Sequence, residues 1–115
     1  MTFREKLSDI SRSLAFDLFI AEKCAAINNK MEEAAKSGFT TFQIEIAQPL
    51  RGQIFSEATA VNAYTIVCNT EVTKTRCVLV TQRVVDYLKQ LGFTEIRRTN
   101  NSCDYWLNVI LKVDW

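Results

Sequence analysis

The stretch that decides the fold is TFREKLSDISRSLAFDLFIAEKCAAINNKMEEAAKSG, residues 2–38. Between Phe3 and Lys36 it holds no glycine or proline and is dominated by Ala, Leu, Glu, Lys and Met, the composition of a long helix. Thr2 stands where an N-cap belongs, and Ser37 and Gly38 follow a lysine-bearing last turn where a left-handed C-terminal residue is needed. The pattern predicts one helix over 3–36. Phe3, Leu7, Ile10, Leu14, Leu18, Ala21 and Ala25 recur at intervals of three and four, a continuous apolar stripe expected to lie on the core. Phe16, Ile20, Ile27, Met31 and Ala34 wind onto a different side at 100° per residue, so the helix has two apolar faces.

A helix of that length runs about 50 Å, whereas a compact domain of this size has a radius of gyration of about 13 Å. The helix must therefore project or break. Either it is kinked or wrapped in its own core, or one face packs on the home sheet and the other on a neighbouring subunit.

Outward from the helix, FTTFQIEIA at 39–47 alternates apolar and polar residues, which predicts a half-buried strand closed by Pro49. Residues 48–81 form an irregular, β-prone insertion: 50–63 has no clean period and reads as a loop with or without a short helical turn, and the β-branched segments 64–69 and 76–81 flank NTEVTKT as a hairpin or a pair of short strands. Thr81 is placed to cap a helix over 82–91 that buries Val84, Val85, Leu88 and Leu91 and ends at Gly92. Residues 93–98 and 103–113 read as a C-terminal hairpin turning through Thr99, Asn100, Asn101 and Ser102. The sum is a single α+β domain over 1–115: the long helix and one shorter helix packed on a small, mainly antiparallel sheet, with the hairpin beside the first strand.

Composition narrows function. The chain of 115 residues carries 14 basic and 13 acidic residues, so no strong global field draws it to nucleic acid or to an anionic membrane. Acids and bases in the first ten residues, with no long apolar run, argue against a signal peptide or membrane span, and the expected location is cytoplasmic on synthesis. Cys24, Cys68, Cys77 and Cys103 form no CxxC pair and there is no histidine, so neither a zinc site nor any other cofactor is expected. The cysteines read as small buried hydrophobes, with Cys68 and Cys77 able to face one another. Without histidine the usual Ser and Cys nucleophile arrangements are unavailable, no phosphate-cradling glycine loop is present, and Glu32 with Glu33 reads as a solvated helix face; no catalytic residue is assigned. Arg97 and Arg98, with Arg76 and Arg83 and with Tyr105 or Trp106, are a candidate patch for single-stranded nucleic acid, but neighbouring strand residues point to opposite faces and solubilising edge charge is the simpler reading. Trp106 is out of phase with Tyr105, Leu107, Val109, Leu111 and Val113, which places it on the less buried sheet face, either as an interface anchor or beneath a helix or the middle segment.

The segments VVDYLKQLGFTEIRR, 84–98, and CDYWLNVILKVDW, 103–115, resemble small accessory proteins of tailed-bacteriophage virions, in which a long N-terminal helix is joined to a strand, a helix-Gly-aromatic junction and a C-terminal hairpin. The resemblance is architectural and leaves out 48–83. It implies a structural subunit of a capsid, neck, tail or baseplate, repeated by symmetry and located in the virion. Its partners would be other protein subunits in a homo-oligomer or larger assembly, with neither membrane nor nucleic acid involved. Phe16, Ile20, Ile27, Met31 and Trp106 are the expected contact residues, each chosen for lying outside the stripe assigned to the core. The alternatives are a small inhibitor or adaptor that binds one host protein, and a single-stranded nucleic-acid binder.

Overall fold

A computed structural model of the chain describes residues 2–49, 60–69, 73, 76–102 and 106–115; the side chains of residues 102, 106 and 107 lie outside that description. In chain order the elements are α1 (Phe3–Lys36), β1 (Thr41–Pro49), β2 (Ala63–Val67), α2 (Cys77–Gln90), β3 (Arg97–Ser102) and β4 (Trp106–Asp114). The sheet order is β2-β1-β4-β3, with β1 parallel to β2 and antiparallel to β4, and β3 antiparallel to β4. This is an α+β arrangement with a mixed, mostly antiparallel sheet.

The ends of α1 are written locally. Thr2 Oγ1 accepts from the Glu5 amide at 3.2 Å while the Thr2 amide donates to Glu5 Oε2 at 3.3 Å, a reciprocal capping box. At the other end Gly38 takes φ +91°, its amide donates to Ala35 O and that of Phe39 to Ala34 O. The same pair of bonds closes α2 around Gly92 (φ +101°), from Gly92 to Lys89 O and from Phe93 to Leu88 O. Both are Schellman ends, and the positive φ is what requires glycine at each.

The core lies between one face of the sheet and the two helices. Phe42, Ile44 and Ile46 pair in register with Val113, Leu111 and Val109, and all six are buried on the helix side. Ile66 of β2 joins them, as do Val80, Val84 and Leu88 of α2. The opposite sheet face carries Gln43, Glu45 and Lys112, and the edge strand β3 is exposed from Arg97 to Asn101, polar residues that suit an edge.

Several boundaries differ from the sequence reading. The helix expected over 82–91 begins at Cys77, so 76–81 is not a strand and Thr81 is not a cap. Cys77, Val80, Thr81, Val84 and Leu88 are buried at helical spacing, and Thr81 Oγ1 donates to Cys77 O one turn back at 3.0 Å, which satisfies the hydroxyl inside the helix. Leu91, expected inside, is 43% exposed. The first strand runs two residues later than expected, and Pro49 is its last residue. Thr99 to Ser102, read as a turn, belong to β3, opposite Ile110 to Leu107. Residues 50–59, within the insertion, lie outside the described residues, as do 103–105, where Cys103 and Tyr105 fall.

The largest correction concerns α1. Its buried residues are Phe16, Ile20, Cys24, Ile27, Met31 and Ala34, whereas Phe3, Leu7, Ile10, Leu14 and Leu18 are exposed. The stripe expected in the core faces out, and Phe16, Ile20, Ile27 and Met31, expected at an interface, are core. At about 51 Å for 34 residues, α1 matches the longest dimension of a molecule that measures 54 × 33 × 21 Å. The helix projects: every described residue from Thr2 to Leu14 is exposed, and the first buried residue is Phe16.

Candidate docking surface

The projecting arm of α1 carries the most unusual surface of the described residues. Phe3 is 74% exposed, Leu7 49%, Ile10 56%, Leu14 60% and Leu18 63%. Their intervals of four, three, four and four residues stack them into one ridge, about 120° round the helix from the buried stripe. Ala21 and Ala25 continue the same line and are exposed. Arg4 and Glu22 lie along one flank of the ridge and Lys6 and Asp17 along the other, all four exposed.

At the root of the arm, α2 is pinned to α1. Arg83 of α2 donates to Asp17 Oδ1, and the guanidinium groups of Arg76 and Arg83 lie 5.4 and 5.8 Å from the Phe16 ring centroid. Ser13, Phe16 and Asp17 line a shallow groove with Arg76, Leu79 and Arg83. Leu79 and Val78, in the first turn of α2, are 53% and 73% exposed. The basic side chains of this groove therefore already hold an aromatic ring and a carboxylate.

The other arginines singled out in the sequence are elsewhere. Arg97 makes a two-pronged bond to Asp114, at 2.9 and 3.0 Å, and Arg98 Nε donates to Asn100 Oδ1 at 3.0 Å. They lie on the edge strand, engaged within the terminal hairpin. The backbone of Trp106 pairs opposite Pro49, and its side chain lies outside the described residues.

Three cysteines are buried and free. Cys68, just after β2, and Cys77, the first residue of α2, are hydrogen-bonded thiol to thiol, so that Cys77 is lowered below the ordinary thiol value and Cys68 raised above it. Burial raises Cys24, with the nearby Arg83 charge opposing it. Their adjacency was anticipated; its cause was not, since they meet where a strand end approaches a helix start and not across a hairpin. Among the described residues no group of three His, Cys, Asp or Glu side chains is placed to hold a metal ion, and no helix is long and apolar enough to cross a membrane.

Comparison of the chain with protein-family models, curated proteins and solved structures gave no match.

Sequence reasoning found both apolar faces of α1 but assigned them in reverse. The usable signal was position along the chain. The stripe from Phe16 to Ala34 lies in the half of α1 that leads directly into β1, whereas the stripe from Phe3 starts beyond the reach of a domain with a radius of gyration of 15.4 Å.

Proposed function

We propose that this chain is a non-enzymatic assembly subunit that acts by packing the exposed ridge of α1 against another protein subunit. A virion accessory is the setting that the architectural resemblance of its second half implies. The observation that supports the reading is the ridge itself: five large apolar side chains in line on a helical arm that no other described element covers.

Two magnitudes favour a partner. An isolated helix of about a dozen residues is marginal in water, so the arm leans on its capping box and on propagation from the packed half of α1. Full burial of a Leu, Ile or Phe side chain is worth about 1.5–3 kcal/mol, so covering these five at their observed exposures yields about 4–9 kcal/mol per helix. Association costs about 4–15 kcal/mol, and a polar surface that gains from one side only does not hold the ridge. A partner that brings a comparable apolar stripe does.

The test is sedimentation velocity over a wide concentration range on the wild-type chain and on a Leu7→Gln/Leu14→Gln double variant. Both positions are exposed and Gln is nearly as good a helix former as Leu, so the variant keeps its circular dichroism spectrum. The expected result is a wild-type mass above the 13.2 kDa of one chain that returns to one chain in the variant. A wild-type chain that stays monomeric throughout, or an assembly indifferent to the two substitutions, overturns the reading.

A further inference from the structure

We infer that the partner on the ridge is a second copy of this chain, bound antiparallel through α1 about a two-fold axis near Arg12. The inference rests on the ridge being a docking surface, and it adds the occupant and its orientation.

Read in reverse, the ridge nearly superimposes on itself. Phe3 falls opposite Ala21 of the second copy, Leu7 opposite Leu18 and Ile10 opposite Leu14, each sum of residue numbers staying within one of the others. The largest side chain meets the smallest, and the branched aliphatic residues meet one another, the size matching that interdigitating helix layers need. Repetition by the two-fold makes the interface self-complementary and closed.

Charge then selects the orientation. In an antiparallel pair each flank of one helix meets the same flank of the other. Arg4 comes within two residue rises of Glu22 of the second copy on one side, and Lys6 within two of Asp17 on the other. A parallel pair joins opposite flanks and sets Arg4 beside Lys6 and Asp17 beside Glu22, like charges in both cases. Arg4, Lys6 and Glu22 have no ion-pair partner among the described residues of their own chain, and Asp17, bonded to Arg83, keeps its side chain 58% exposed. The antiparallel helix dipoles act in the same sense. Space is also free: Leu18, Ala21, Glu22 and Ala25 are exposed alongside the body, on the side of α1 away from the sheet, so the second arm has a surface to lie on.

The experiment reverses charge in the full chain: Arg4→Glu, Glu22→Arg and the two together, with the dimer dissociation constant read by sedimentation equilibrium. Each single variant converts two attractive cross-helix contacts to repulsive ones, and the expected weakening is about tenfold or more. An acid in the first helical turn favours the helix, so weakening in Arg4→Glu does not come from a lost arm. The double variant is expected to recover the wild-type constant. A parallel pair gives the opposite sign, since each single reversal relieves a like-charge contact and tightens the dimer. Tightening, no change, failure of the double variant to recover, or a mass beyond two chains overturns the antiparallel dimer while leaving the ridge a docking surface. A chain that does not self-associate overturns both.

Discussion

Replacing Ile27 and Leu14 separately by alanine tests which face of α1 is the core. Ile27 is fully buried among the sheet and α2, and Leu14 is 60% exposed on the arm. Ile→Ala removes three carbons, about 2.4 kcal/mol in transfer terms at about 0.8 kcal/mol per methylene, and the cavity left in a core that relaxes only partly brings the expected loss to about 3 kcal/mol. Leu14→Ala removes as many carbons from a side chain that water already reaches, and alanine is the better helix former, so the expected loss is under about 1 kcal/mol. The assay is urea denaturation followed by circular dichroism, at a protein concentration low enough for the wild type to sediment as a single chain. Under those conditions the Ile27→Ala midpoint falls well below that of Leu14→Ala, with unchanged slope. As concentration rises into the range where the ridge is covered, the Leu14→Ala deficit grows and the Ile27→Ala deficit does not. If Leu14→Ala proves the more destabilising in dilute solution, the ridge is the core and the assignment of faces fails.

Alkaline pH should weaken the fold. Cys68 is raised by its hydrogen bond with Cys77 and by burial, and Cys24 and Tyr87 are raised chiefly by burial. A raised group stabilises fully below its unfolded pKa, about 8.5 for a thiol, and that stability is lost as pH rises through the window above it. Cys77, lowered by the Cys68 hydrogen bond, acts in the opposite sense only below the ordinary thiol value and adds no further change above it, while Tyr87 joins Cys68 and Cys24 above about pH 10. The urea midpoint should therefore fall above about pH 8.5, and a midpoint that rises there contradicts the account. The same pair of thiols should respond to a thiol oxidant such as diamide by linking Cys68 to Cys77, with Cys24 left reduced; peptide mapping that finds Cys24 joined to either one rejects the adjacency.

Where local chemistry determines structure, the sequence was readable. Thr2, Gly38 and Gly92 marked helix ends because capping and positive φ are properties of a few adjacent residues. The alternation in β1 gave a half-buried strand because one sheet face meets the helices and the other does not. Legibility failed where two local readings compete and tertiary contacts choose. The run Val78-Leu79-Val80-Thr81 has strand composition, but burial of Cys77, Val80 and Val84 on one side takes it into α2. Thr99 to Ser102 have turn composition, yet the ladder with β4 continues through them as a polar edge. The α1 faces failed for a different reason: periodicity identifies a stripe but not what covers it, and the arm and the core each supply one.

An exposed apolar residue alone argues for nothing, because much of any protein surface is apolar. Phe39 and Val61 are exposed in this chain away from the ridge and need no partner. The ridge differs in three linked respects. Its residues lie in one line, they sit where the home core does not reach, and the four charges beside them alternate so that reversal of the chain, and not translation, pairs opposite signs. Solubility alone would favour polar residues at Phe3, Leu7 and Ile10, which no packing within the described fold requires to be large or apolar. The two faces of α1 thus differ in kind: the stripe from Phe16 to Ala34 packs in the core, and the ridge from Phe3 to Leu18, left uncovered by the described fold, is the surface we propose for joining a neighbour.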